Sequence, residues 1–220
     1  MIRKTAIAAL LALFMLTGAA MAEIKAGDII TFGSYEQDND QTNVKEPIEW
    51  DVMEVEGGDA MLLSRYVLDI LAYNDGNMKT SWKKSSLRSW LNSTFYDEAF
   101  TGEEKAQLLT KELETKYDEG TTADPVTLMT CPDALRIFEN HQARQCVGTE
   151  YAKAKGLYQS KKYKGFTHWW TRNPSWESYN KASYVAASGG TMKCGAPLTN
   201  RNFGVRPLIY LKAADFSPAQ

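Results

Sequence analysis

The side chains that most often carry out chemistry are sparse in this chain: it has three cysteines and two histidines. Neither His141 nor His168 has a cysteine or second histidine at metal-ligand spacing. No Gly-x-Ser-x-Gly elbow, His-Glu-x-x-His helix or phosphate-binding glycine loop occurs. No catalytic residue, cofactor or metal is therefore assigned. The acidic stretch Asp38-Asn39-Asp40-Gln41-Thr42-Asn43 reaches Glu49 at a twelfth position, an echo of a calcium loop. Position six is Asn43 where such loops need glycine, and the flanks read as strands, so a solvated hairpin loop is the preferred reading. Cys131, Cys146 and Cys194 allow three pairings. A helix from Pro132 to about Gln145 would hold Cys131 and Cys146 roughly 20 Å apart, beyond the ~7 Å limit for bridging. A disulfide using Cys194 is then easier, with three reduced thiols as the alternative.

Binding chemistry has a better candidate. Trp169 and Trp170 are neighbours in an expected strand, so their side chains point to opposite faces, and both are buried only if both faces are covered. With Arg172, Asn173, Trp176 and Tyr179 close behind, the segment offers aromatic faces beside hydrogen-bond donors. That combination suits a sugar or a partner protein's surface. The competing reading has the same aromatics filling a core. Arg206 interrupts an apolar strand and precedes Pro207, which holds it extended. An ion pair with Glu49 or Asp51 would satisfy it structurally, since an unpaired buried arginine costs several kcal/mol. Arg88, beside Trp90, is read in the same structural way.

Period sorts the elements that must position these residues. Asp28 to Gly33 is apolar-rich, and Ile48 to Val55 alternates apolar with acidic residues. Gly57-Gly58-Asp59 turns that strand into Ala60 to Ser64, predicting an antiparallel hairpin. Leu87, Trp90, Leu91 and Phe95 then form a helical stripe that Ser85 or Ser86 can cap. Thr101-Gly102-Glu103-Glu104 fits a capping box toward Leu109, and Pro132 at N1 and Thr149 as N-cap start two more helices, the last closed by Gly156. Strand signals return in Thr167 to Thr171, Ala182 to Ala187, Thr191 to Gly195 and Phe203 to Leu211. Strands, helices, then strands without βαβ alternation predict an α+β fold with a mainly antiparallel sheet that includes both the first and the last strands.

Several phrases resemble, in order, a family of bacterial extracytoplasmic domains of unknown function. They are Phe32-Gly33-Ser34-Tyr35, Pro47-Ile48-Glu49-Trp50, Leu62-Leu63-Ser64, Leu87-Arg88-Ser89-Trp90-Leu91-Asn92, Ala99-Phe100-Thr101, Thr149-Glu150-Tyr151-Ala152, Trp169-Trp170-Thr171-Arg172-Asn173-Pro174 and Gly204-Val205-Arg206-Pro207. The Trp-Trp strand, Gly-Gly hairpin and terminal Gly-Val-Arg-Pro strand are also remotely similar to the C-type-lectin-like fold shared with formylglycine-generating enzymes. The resemblance implies a compact domain with its N- and C-terminal strands adjacent, but no catalytic list.

Arg3 and Lys4, the apolar run Ala6 to Leu16, and Ala20-Met21-Ala22 read as a cleavable signal peptide over residues 1–22, leaving 23–220 as a single domain. The run is too short to span a membrane, which takes about 20 residues, and no lipid-anchoring cysteine follows it. The expected location is extracytoplasmic, periplasmic or secreted, with no membrane anchor after cleavage. Loss of Arg3 and Lys4 makes the net charge of −2 more negative, and no basic tract remains for nucleic acid. The expected function is a non-enzymatic binding or interaction domain for a glycan or an envelope or host protein. The competing class is an enzyme, either a cysteine-dependent oxidoreductase or a carbohydrate-active one using Glu49 and Asp51. A purely structural envelope module is the third option.

Overall fold

The computed structural model describes residues 23–115, 120–178 and 180–216; the expected signal peptide (1–22) and Tyr179 lie outside the described residues. The chain opens with β1 (Ile29–Tyr35), β2 (Glu46–Glu56) and β3 (Asp59–Ser64), an antiparallel meander. Ile48, Trp50 and Val52 of β2 are buried while Glu49 and Asp51 face outward, so its period of two is the inside-outside alternation. Gly57 (φ 59°) and Gly58 (φ 81°) supply the two left-handed residues that a tight hairpin needs between β2 and β3. The short strand β4 (Asp69–Ile70) follows.

Helix α1 (Ser86–Trp90) is N-capped by the Ser85 side chain and runs through a π-helical turn (Leu91–Phe95) into α2 (Tyr96–Ala99). Leu87, Leu91 and Phe95 are fully buried, and Trp90 is half-buried with its ring 5.5 Å from that of Phe95. Helix α3 (Gly102–Gln107) carries the expected capping box, Thr101 and Glu104 satisfying each other's backbone N–H groups.

Three strands without a clear periodic signal come next: β5 (Lys111–Glu114) and β6 (Thr121–Asp124), a separate hairpin, and β7 (Val126–Leu128). The single helix expected from Pro132 to Gln145 is two: α4 (Cys131–Ile137), N-capped by Thr130, and α5 (His141–Arg144). Phe138 breaks it by turning extended (φ −81°, ψ 129°), and its ring packs 5.9 Å from the Arg206 guanidinium. Helix α6 (Glu150–Ala154) is capped by Thr149 as expected.

The remaining strands are β8 (Trp169–Pro174), β9 (Lys181–Val185), β10 (Thr191–Pro197), β11 (Gly204–Val205) and β12 (Pro207–Lys212). They complete two five-stranded sheets, ordered β1-β2-β3-β12-β7 and β10-β9-β8-β11-β4. All strand pairs are antiparallel except β8 with β11. The fold is therefore mixed α and β with mostly antiparallel sheets and short helices. Two expectations need correction. There are two large sheets, not one, and the Trp-Trp strand belongs to the second. The N- and C-terminal strands share a sheet without being adjacent: β12 pairs with β3 and β7, so β2 and β3 separate it from β1.

β8 lies between two apolar clusters, which is why all six of its residues are buried. Trp169 faces one cluster, its Nε1 donating to the Arg144 carbonyl (3.2 Å). Trp170 faces the other, donating to the Leu71 carbonyl (2.9 Å) and packing on Tyr73 and Phe203. The three cysteines are all free, which is the second of the two readings left open for them. No helix of the described residues is long and apolar enough to cross a membrane.

Candidate functional site

Two irregularities in the second sheet create the site. Trp170 faces Tyr184 and Pro174 faces Ala182, so four steps along β8 are matched by two along β9. β10 does the same on the other side, with Met192 facing Tyr184 and Ala196 facing Ala182. Such bulges bend a strand and re-aim its side chains. Gly195 sits in the second bulge at φ 76°, where an added Cβ would lie 2.6 Å from the Ala182 carbonyl oxygen, so only glycine fits. On the first bulge, Arg172 and Asn173 are turned toward α4.

There Asn173 Oδ1 accepts from the Cys131 backbone N–H (2.8 Å) and ties α4 to β8. On one side of this tie lies an open groove of about 450 Å³, lined by Glu114, Thr130, Pro132, Asp133, Arg172 and Asn173. On the other is a narrow pocket of about 50 Å³ that Pro132 and Asn173 share with Cys131, Ser183, Lys193 and Trp176. Trp176 is 58% exposed, the largest aromatic surface the described residues present.

Arg172 is 5% exposed. Its Nη1 donates to Thr127 Oγ1 (3.3 Å) and its Nη2 to the Glu114 carbonyl (3.0 Å), both neutral acceptors. Its Nε is buried without a hydrogen-bond partner, and no described carboxylate pairs with the guanidinium. Burial pulls the group below its ordinary value, although an arginine stays charged at any ordinary pH. Asp133, on the groove wall, is engaged elsewhere, accepting from Thr130 Oγ1 (2.5 Å) and lying 3.4 Å from Arg136.

The expected binding residues thus divide. Arg172, Asn173 and Trp176 gather around Pro132, whereas Trp169 and Trp170, counted among the candidate binding residues, are both fully buried and closed to any ligand. Glu114, Thr130, Asp133 and Lys193 were not anticipated as lining. Glu114 comes from the β5–β6 hairpin, whose polar sequence gives no apolar rhythm, while of the α4 start only Pro132 was legible and the Thr130 cap was not.

The residues read as structural have structural surroundings. Arg206 Nε donates to the Ser64 carbonyl (2.7 Å), its Nη2 lies 3.4 Å from Asp51, and the guanidinium sits 5.3 Å from the Trp169 ring. Glu49 pairs instead with Arg65 (3.5 Å). Arg88 pairs with the buried Asp124 (2.6 Å), which also accepts from Trp82 Nε1 (3.2 Å). Burial pushes the Cys131 and Cys146 thiols up, keeping both protonated and poor as nucleophiles.

The architecture and groove define a small mixed α and β domain with a polar cleft beside one exposed tryptophan. Residues 57–213 match the family described as a domain of unknown function (DUF6273), and the chain belongs to it. No curated protein and no solved structure matches the chain.

Proposed function

We propose that this chain is an exported, non-catalytic binding domain whose groove receives the carboxylate of an acidic glycan, with Trp176 stacking on the sugar beside it. The observation that carries the reading is Arg172, a buried guanidinium with an unpaired Nε and no acidic partner among the described residues, on the wall of an open groove. A buried charge without a counter-ion is costly, whereas a planar fork facing a cleft matches a carboxylate in shape and sign. An exposed indole adds an apolar face of the kind that sugar rings stack on. The lectin-like class belongs to this proposal: two antiparallel sheets and a cleft framed by bulges and loops support it, while the separation of β1 from β12 departs from the arrangement that the resemblance implies.

A glycan array with acidic and neutral members tests the reading on the chain from Glu23 onward. Acidic glycans bind; Arg172→Met and Trp176→Ala each weaken binding by at least roughly tenfold, about 1.4 kcal/mol. Trp170→Ala serves as a control for loss of fold, expected to cost about 3–5 kcal/mol. No acidic glycan bound, or wild-type affinity in Arg172→Met, overturns the proposal.

A further inference from the structure

A second polar feature lies at the far end of the first sheet. Tyr35 and Glu46 are paired residues at the open end of the β1–β2 hairpin, and the chain between them loops out through Asn39, whose φ is 67°. This mouth brings carboxylate oxygens of Glu36, Asp38 and Glu46 within 4.8 Å of one another. No lysine or arginine among the described residues forms an ion pair with any of the three; the nearby Lys45 is turned to Glu98.

Two of the acids are held by donors. Glu46 Oε2 accepts from the backbone N–H groups of Gln37 (2.6 Å) and Asp38 (3.3 Å). Asp38 accepts from the Asp40 N–H at Oδ1 (2.7 Å) and from Asn43 Nδ2 at Oδ2 (2.8 Å). Glu36 differs. It is 9% exposed, its carboxylate has a backbone hydrogen bond from Asn39, and its Oε1 is buried with no hydrogen-bond partner. A buried carboxylate oxygen needs a donor or a cation, and here the neighbours are two more carboxylates. Three convergent all-oxygen ligands on a loop, with water free to complete the shell, suit calcium, which accepts six to eight oxygens in flexible geometry. Magnesium demands a tighter octahedron.

We propose that Glu36, Asp38 and Glu46 form a calcium site at the mouth of the β1–β2 loop. It is a different site from the one the sequence spacing suggests. Glu49, the twelfth residue of that register, points to Arg65, while Glu36 and Glu46 lie outside the six-residue acidic stretch. Bound calcium bridges the end of β1 to the start of β2 and holds the loop closed. The inference is independent of the glycan reading, since the groove lies in the other sheet.

Thermal unfolding of the chain from Glu23 onward, in EDTA and across a calcium titration, reads the site directly. Calcium raises the midpoint saturably, with a Kd of about 0.1–1 mM, the range of extracellular modules, and magnesium at equal concentration raises it less. Glu36→Gln, which removes charge repulsion, folds at least as stably as wild type in EDTA yet weakens calcium binding by roughly tenfold or more. Terbium bound in the same place is sensitised by the neighbouring Tyr35 and displaced by calcium. A midpoint indifferent to calcium, or one that rises equally in wild type and Glu36→Gln, overturns the proposal.

Discussion

At the residue scale, three arginines show how one side chain type takes different roles. Arg88 has Asp124, Arg206 has Asp51 and two aromatic rings, and Arg172 has, among the described residues, only neutral oxygens. The sequence marks Arg206 as a charge in an apolar strand, Arg88 as a helix residue of the same structural kind and Arg172 as a binding candidate; which one lacks an acid among the described residues was not legible, because Asp124 belongs to a hairpin with no periodic signature. A different side chain sets the response to pH. His168 Nδ1 accepts the Ala187 N–H (2.9 Å), and its ring stacks at 4.5 Å on Tyr158. Burial holds its pKa below the ordinary 6.5, so the folded chain binds fewer protons than the unfolded one. Its contribution is therefore constant above about pH 6.5 and is lost as the pH falls from there toward the folded value. The midpoint of thermal unfolding is expected to drop between pH 7 and pH 5, before most carboxylates titrate, with a smaller drop in His168→Gln.

At the element scale, caps are the parts most faithfully written in the sequence. Thr101, Thr130 and Thr149 each accept the backbone N–H three residues on; Thr101 and Thr149 are the caps their spacing predicts, while Pro132, expected at N1, stands one residue further in. Glu104, the far half of the Thr101 box, also accepts from the Gly33 N–H (3.0 Å), so this cap secures β1 as well as α3. Thr101→Ala is expected to cost about 1 kcal/mol in a urea titration. Element ends set by distant partners are less legible. A single helix from Pro132 to about Gln145 is the expectation, but the chain turns extended at Phe138, whose ring lies 5.9 Å from the Arg206 guanidinium. The bulges framing the groove escape notice for a related reason. They are properties of three strands in register, and no single strand records them.

At the scale of the whole molecule, period-two segments at both ends correctly announced an α+β chain whose first and last strands share a sheet. They did not disclose that a second sheet forms around β8. Trp169 and Trp170 resolve the ambiguity: two large apolar side chains on opposite faces require cover on both sides, and the two hydrophobic clusters provide it. The segment proposed to bind was thus singled out for a partly mistaken reason. Its tryptophan pair is buried in the two clusters; of the residues that follow, Arg172 and Asn173 are buried but line the groove, and only Trp176 is exposed.

The placement of β12 between β3 and β7 also sets a schedule. Of the strands described, it is the last to leave the ribosome, yet it is interior to its sheet, and β11 just before it is interior to the other. Until both have emerged, neither sheet can close and Arg206 cannot reach Ser64 or Asp51. A chain ending at residue 203 is therefore expected to be digested by protease under conditions that leave the longer chain intact. A nascent polypeptide that stays open until its final strands appear is one that a translocation channel can still thread.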